Sequence, residues 1–216
     1  VRMEERSPGS YRLSIRGSLL RSPYGVRKVK VYYNGFALTD GGGNTYLNAL
    51  NATDIAQIEI LKGPDGSLFG ANSGGVVLLD SGGQVPDETS FRVFGGAYGL
   101  VGEAIHVGRR LGKHTWSVRQ SYQRADGYRR HTRNHRLFAQ VSDSWNYSKQ
   151  NKLEGLFFYS DFAYRTPGGL TAEQYEVDPR QSRPATNKLP GSAEQKTGTD
   201  ARMYFGGIRH IFKPAD

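Results

Sequence analysis

From residue 90 onward the chain repeats one pattern, in which about ten residues alternate polar with apolar, break, and alternate again. The segments are "SFRVFGGAYG" (90–99), "GEAIHVGRR" (102–110), "HTWSVRQSYQR" (114–124), "HRLFAQVSDSWNY" (135–147), "NKLEGLFFYSDF" (151–162) and "DARMYFGGIRHIF" (200–212). A period of two sends successive side chains to opposite faces of an extended strand, so each segment is predicted to be a strand with two chemically distinct faces. In the third, Trp116, Val118 and Tyr122 share one face, while Ser117, Arg119, Ser121 and Gln123 share the other. In the fourth, Leu137, Ala139, Val141 and Trp145 oppose Arg136, Gln140, Ser142 and Ser144.

Two architectures use such strands. Each segment has roughly the ~9–11 residues needed to cross a bilayer at a tilt. Trp145, Tyr147 and Tyr159 sit near segment ends, where the aromatic girdles of membrane barrels lie. The connections alternate in length. "LGK" (111–113) and "SKQ" (148–150) are short, whereas 125–134 and 163–199 are long; only the first connection, around Leu100-Val101, breaks the alternation by being short. Membrane barrels have short turns at one rim and long loops at the other. A soluble β-sandwich also alternates along its strands, so the pattern leaves it open. Six strands are fewer than the roughly eight of the smallest single-chain bacterial barrels. Open strand edges in lipid cost several kcal/mol per unsatisfied group, so the barrel reading expects further strands beyond this chain. Both ends read as cut: the chain opens on Val1 and closes on "FKPAD" just after a strand.

Composition narrows the function classes. Glycine (28) and tyrosine (13) are abundant, which favours strands and turns over a helical bundle. Mean hydropathy is −0.60 and no run approaches the ~20 apolar residues of a spanning helix, which excludes a helical membrane protein. The absence of cysteine excludes a disulfide scaffold and thiolate metal sites. The net charge of +9 invites a nucleic-acid reading, but the basic residues form no single block. Arg124, Arg129, Arg130, Arg133 and Arg136 crowd one loop-like segment, and no helix-turn-helix, zinc or RNP-like pattern accompanies them. No nucleic-acid partner is expected. No paired carboxylates, Ser/His/Asp set or cofactor fingerprint stands out, so no catalytic residue, resident cofactor or enzymatic activity is expected. His131 and His135 lie in a loop that places them on no common helical face, and no metal site is expected.

Residues 1–82 read as a separate, small, mixed α/β unit, and 83–216 as the strand-repeat domain. "YRLSIRG" (11–17), "VKVYYNG" (29–35), "QIEILKG" (57–63) and "GGVVLLD" (74–80) are predicted strands, the second ending on the hairpin signal Asn34-Gly35. "TYLNALNATDIAQ" (45–57) suits one or two helical turns, the second capped by Thr53 or Asp54. The core of such a unit is small for a free-standing domain. Gly63, Pro64 and Gly66 allow a tight reversal between strands, and Gly74 and Gly75 allow close backbone approach. A phosphate cradle is excluded there, because no G-x-x-x-x-G-K-[ST] is present.

"LSIRG" (13–17), "VKVYYNGFALTD" (29–40) and "IAQIEILKGPDGSLFGANSGGVVLLDS" (55–81), followed by strands, resemble the plug of TonB-dependent outer-membrane receptors. "DGYRRHTRNHR" (126–136), "TPGGLTAEQYEVDPRQSRPAT" (166–186) and "FGGIRH" (205–210) resemble the subgroup that takes up ferric siderophores or ferric citrate. The resemblance implies a plug inside a bacterial outer-membrane barrel of about 22 strands, of which this chain has the first six or so. It implies energy-coupled uptake of a ferric chelate, whose iron is cargo and not a cofactor. The implied partners are outer-membrane lipid, the chelate and the inner-membrane TonB complex. Arg21, Tyr24, Asn44 and Tyr46 at plug apices, with loop residues Arg129, Arg130 and Arg133 as a positive funnel, are the implied substrate contacts. Arg16 and Lys62 match basic plug positions that face acidic barrel residues in the family, and Lys62 stands where arginine is usual. The alternative is a soluble β-rich module that binds carbohydrate or another ligand.

Overall fold

The computed structural model describes residues 1–7, 10–15, 26, 28–62, 68–70, 74–82 and 87–214. Among these residues the chain forms three sheets. The ribbon β1 (Arg2–Ser7) and β2 (Ser10–Ser14) is antiparallel. A four-stranded sheet takes the order β4-β3-β6-β5, from β3 (Val29–Tyr33), β4 (Phe36–Ala37), β5 (Gln57–Leu61) and β6 (Gly75–Asp80). Here β3 runs parallel to β6, and the other pairs are antiparallel.

The Asn34-Gly35 signal is borne out. Both residues have positive φ (48° and 80°), as a two-residue hairpin turn with the strand's own twist requires. Asn34 also ties the turn to β6. Its Oδ1 accepts from the Ser81 amide at 2.9 Å and its Nδ2 donates to Ser81 Oγ at 3.0 Å.

The helical expectation for residues 45–57 needs correction. The segment forms two single 3-10 turns, Leu47–Ala49 and Ala52–Asp54, and no α-helix occurs among the described residues of 1–82. The break falls at Leu50 and Asn51, which are extended and buried, Leu50 in the apolar core. A continuous helix would carry one of them away from its site. The cap of the second turn is Asn51, whose side chain accepts from the Thr53 amide at 3.3 Å, not Thr53 or Asp54.

The third sheet has six antiparallel strands in sequence order: β7 (Thr89–Gly95), β8 (Val101–Leu111), β9 (His114–Ala125), β10 (Asn134–Trp145), β11 (Asn151–Arg165) and β12 (Gly198–Phe212). The first strand stops at Gly95, not 99. The Gly96 amide donates to the Leu100 carbonyl at 2.9 Å, and Tyr98 (φ 58°) and Gly99 (φ 71°) turn the chain. One short helix, α1 (Ala172–Val177), lies in the β11–β12 connection behind a Thr171/Gln174 capping box.

The decisive feature is which face of this sheet is covered. Ser121 is 0% exposed and Gln140 4%, while Val118 is 42% exposed and Ile208 79%. Ser117, Ser142, Ser144 and Ser160 are also buried, and Phe91, Val93, Val141, Phe157 and Tyr204 are exposed. A water-soluble sandwich would do the reverse, burying the valines and wetting the serines. The polar face is the one packed on residues 1–82.

A few apolar side chains interrupt that polar face. Phe138, Leu156 and Phe158 join Ile15, Val29, Val31, Tyr33, Leu50 and Val77 in one cluster. Tyr33 and Phe158 meet edge-to-face at 5.9 Å, and Phe158 stacks on Phe205 at 5.0 Å. The small core of the first unit is thus completed by the wall.

The inversion predicts a mutational asymmetry. Val141→Arg on the outward face should destabilise folding into lipid vesicles by about 2–4 kcal/mol. In a soluble sandwich the same change at an exposed valine would stay within about 0.5 kcal/mol. Urea-induced unfolding from vesicles measures it.

Candidate functional site

Three connections meet at the long-loop rim: 96–100, 126–133 and 166–197. Each is held by its neighbour's backbone. The Asp126 and Gly127 amides donate to the Tyr98 carbonyl at 2.9 and 3.2 Å, and the Arg130 amide donates to the Arg180 carbonyl at 2.7 Å. Arg129 acts as a strut. Its Nε and Nη2 donate to the Gln181 carbonyl at 3.0 and 2.8 Å, and Nη1 donates to Gly168 at 2.8 Å. Burial pulls its pKa below the ordinary arginine value.

The other loop arginines are placed differently. Arg130 pairs with Asp178 across the two long loops. Arg133 is largely exposed, with Asp126 at 3.5 Å. His131 Nε2 sits 2.8 Å from the Thr197 carbonyl, so its ring serves the loop packing. Residues that sequence reasoning missed form the aromatic part of the rim. Tyr98 and Tyr128 meet edge-to-face at 5.3 Å, and the Arg180 guanidinium lies 6.0 and 5.7 Å from the two ring centres. The only signal was the pair of "GAYG" and "DGY" turns, whose tyrosines have no alternating partner.

On the plug side, Asn44 closes the Asp40–Asn44 tip. Its amide donates to Asp40 Oδ1 at 2.9 Å, and its carbonyl accepts from the Asp40 amide at 2.9 Å. Tyr46 follows it, exposed. Arg21, Tyr24 and Arg16 lie outside the described residues. Lys62 is exposed at the end of β5.

Other groups make the described contacts between the first unit and the wall. Tyr33 Oη donates to Gln140 Oε1 at 2.6 Å. Burial, and secondarily Asp54, push the Tyr33 phenol well above its ordinary pKa, so it stays a donor. Ser121 Oγ donates to Asp54 Oδ2 at 2.7 Å, and Asn51 Nδ2 donates to Ser121 Oγ at 3.2 Å. The charge sense here is a plug acid facing wall arginines. Burial raises the Asp54 carboxyl pKa, and Ser121, Arg119, Arg136 and Arg92 oppose that rise.

Nearer the short turns, Arg209 holds the tip of the β3–β4 hairpin. It pairs with Glu154, donates to the Gly35 carbonyl at 3.4 Å and lies 5.5 Å from the Phe36 ring centre. Any side chain at Gly207 would strike that ring. A cleft of about 580 Å³ opens beside this clasp, lined by Asn34, Asp80 and Ser81 on one side and Ser117, Ser142 and Lys152 on the other. Among the described residues, no group of His, Cys, Asp and Glu is arranged to hold a metal ion.

Asp54 gives a pH dependence with a definite sign. A carboxyl whose pKa is higher folded than unfolded holds its proton more tightly when folded. Its contribution is therefore fully present below the unfolded pKa and is lost as pH rises through the folded one. Urea midpoints measured from acid towards neutral pH should fall more steeply for the parent than for Asp54→Asn, whose side chain does not titrate.

Comparison with known proteins agrees with this geometry. Residues 1–77 match the family model of the TonB-dependent Receptor Plug Domain. The whole chain is similar in fold to the ferric citrate transporter FecA in its unliganded form, with TM-score 0.74 and 16% identity over 99% of this chain and 33% of that one. The siderophore receptor PirA from Acinetobacter baumannii matches with TM-score 0.63 and 16% identity, over 96% of this chain and 33% of the other. The copper transporter OprC matches with TM-score 0.62 and 14% identity, over 78% and 27%. The chain therefore spans about a third or less of the length of these structures. These relatives are receptors and transporters, not enzymes. Residues 1–77 thus match the plug domain of TonB-dependent receptors, and the chain as a whole shares its fold with a segment of these transporters and receptors.

Proposed function

We propose that this chain is the plug and the first wall strands of an outer-membrane receptor that takes up a ferric siderophore or similar iron chelate. The observation that carries the reading is a plug seated on the polar face of a sheet whose apolar face is turned outward. Only a lipid-facing wall rewards that arrangement. The complete wall has about 22 strands, as in plugged transporters of this size. Its partners are outer-membrane lipid, the chelate at the long-loop rim, and an inner-membrane TonB complex that supplies the work of moving the plug.

The rim chemistry supports an anionic chelate. Arg133 is a largely exposed cation, paired loosely with Asp126, on the loop that also carries Tyr128 of the Tyr98, Tyr128 and Arg180 cluster, and aromatic walls with cations suit a bulky anion. On this reading Arg21, Tyr24, Asn44 and Tyr46 are the plug's candidate contacts to the same chelate, and Arg16 and Lys62 its candidate basic contacts to the wall. Arg129 and Arg130 act through loop structure. The similar fold of a copper transporter argues that fold alone leaves the cargo open, so iron rests on the motif resemblance in the long loops.

Two variants separate direct contact from support in the whole receptor. Arg133→Gln should weaken ferric chelate binding about two- to fivefold, with a smaller salt dependence, and leave the loops protected from protease. Arg129→Ala should weaken binding through loosened loops, seen as new proteolysis between residues 166 and 197. Fluorescence binding assays with ferric citrate and with catecholate and hydroxamate siderophores, followed by uptake with and without an energised inner membrane, test the reading. No binding of any chelate, with the receptor correctly folded, would sink it.

A further inference from the structure

The polar face beneath the plug contains a row of groups that the plug covers and leaves unmated. His106 on β8, Arg119 on β9 and Gln140 on β10 stand directly opposite one another in register and point inward. They are 7%, 9% and 4% exposed. His106 Nε2, Arg119 Nε and Gln140 Nε2 are each buried without a hydrogen-bond partner. Nearby acceptors are committed elsewhere. Asp54 faces Arg119 with its charge, but its Oδ2 is held by Ser121 and it makes no hydrogen bond to Arg119 Nε; Gln140 Oε1 is held by Tyr33, and Glu88 approaches His106 only through Nδ1, at 4.0 Å.

A buried donor without a partner costs about 1–3 kcal/mol, and more when charged. Three adjacent ones in a well-packed interface are a concentrated cost that the plug–wall fit does not explain. Arg119 Nε and Gln140 Nε2 are donors in every state, His106 Nε2 is one in its Nε2–H tautomer or when protonated, and the guanidinium is always charged. The missing complement is an acceptor, and an anion in particular.

We propose that His106, Arg119 and Gln140 form an oxyanion site on the inner wall. The site is covered while the plug is seated and takes a carboxylate or phosphate group when the plug withdraws. The inference deepens the transport reading and rests on it for one point, that the plug moves. The row lies midway between the long-loop rim and the short turns, since Gln140 is near the middle of β10. An anionic cargo leaving the rim meets it on the way inward. The same three donors lower the cost of unseating the plug, because they gain partners only when it leaves.

The test uses the whole receptor carrying this segment, reconstituted into lipid nanodiscs. Hydrogen exchange of the plug strands Gln57–Leu61 and Gly75–Asp80 is followed in sodium phosphate and in sodium chloride at matched pH and ionic strength. An anion that binds only the unseated state raises its population by one plus the ratio of anion concentration to Kd, about tenfold at nine times Kd. Exchange should therefore run faster in phosphate by that factor. Phosphate otherwise strengthens burial, so a general salt effect has the opposite sign. Arg119→Gln should abolish the phosphate dependence and Arg119→Lys should keep part of it. Gln140→Met, which adds no charge, should reduce it and serves if Arg119→Gln fails to assemble. Equal rates in both salts for the parent, or a phosphate effect that survives Arg119→Gln, overturns the proposal. Uptake by the same preparation is scored separately. Lost uptake with an intact phosphate effect counts against the transport reading, and normal uptake with no phosphate effect counts against this site alone.

Discussion

On the receptor reading the sheet faces hydrocarbon, where a peptide group has no water to turn to, so it must satisfy its own backbone within the sheet. The six wall strands meet the backbone condition by uninterrupted antiparallel pairing along β7 to β12, and they turn valine, isoleucine, phenylalanine and tyrosine outward together with hydrogen-bonded polar pairs such as Gln120 with Glu103 and Arg202 with Asp161. The polar half of each strand is thereby forced inward, where it too needs partners. Some are found within the wall, as where Ser117 Oγ and Ser142 Oγ lie 2.9 Å apart. The rest must come from the plug. Tyr33, Asn51 and Asp54 supply them, and each is a buried polar residue in the plug, where an apolar residue would have packed against an apolar wall.

This dependence explains why the described residues of the plug hold no α-helix. Its four-stranded sheet is short, and the segment from Leu47 to Asp54 abandons helix for two 3-10 turns so that Leu50 can enter the core while Asn51 reaches Ser121. A continuous helix would satisfy its own backbone and leave the wall unmet. The core is shared for the same reason. Phe138 and Phe158 leave the wall's polar face to pack on Tyr33 and its neighbours, so the first unit and the wall bury one apolar cluster between them.

Much of this was legible in the sequence, because strands write themselves in a period of two. The six wall segments, the Asn34-Gly35 turn and four plug strands were placed within a few residues, while β1 (Arg2–Ser7) and the two-residue β4 were not foreseen. The periodicity of Val118 or Val141 is the same whether valine faces in or out, so the choice between sandwich and membrane wall needed the burial of Ser121 and Gln140. Contacts between distant residues were also invisible. Arg129 reads as a free loop charge until its guanidinium is seen on the carbonyls of Gly168 and Gln181, dozens of residues away. The Asn51 cap was missed because Thr53 and Asp54 are equally good caps by type, and only the burial of Leu50 decides where the turn breaks.

The joint between plug and wall carries opposing tendencies. Apolar packing around Tyr33, Phe138 and Phe158, and the clasp of Arg209 on Gly35 and Phe36, favour the seated plug. The raised Asp54 carboxyl and the unmated donors of His106, Arg119 and Gln140 oppose it. The first set is cooperative, since an interdigitated core loses its contacts together and does not yield gradually. A plug held this way does not drift open; it stays shut until work is done on it. On the transport reading, that is the physical reason for an external energy source. The opposing polar groups set how much work is needed, because each finds water or an anion as soon as the apolar contacts part.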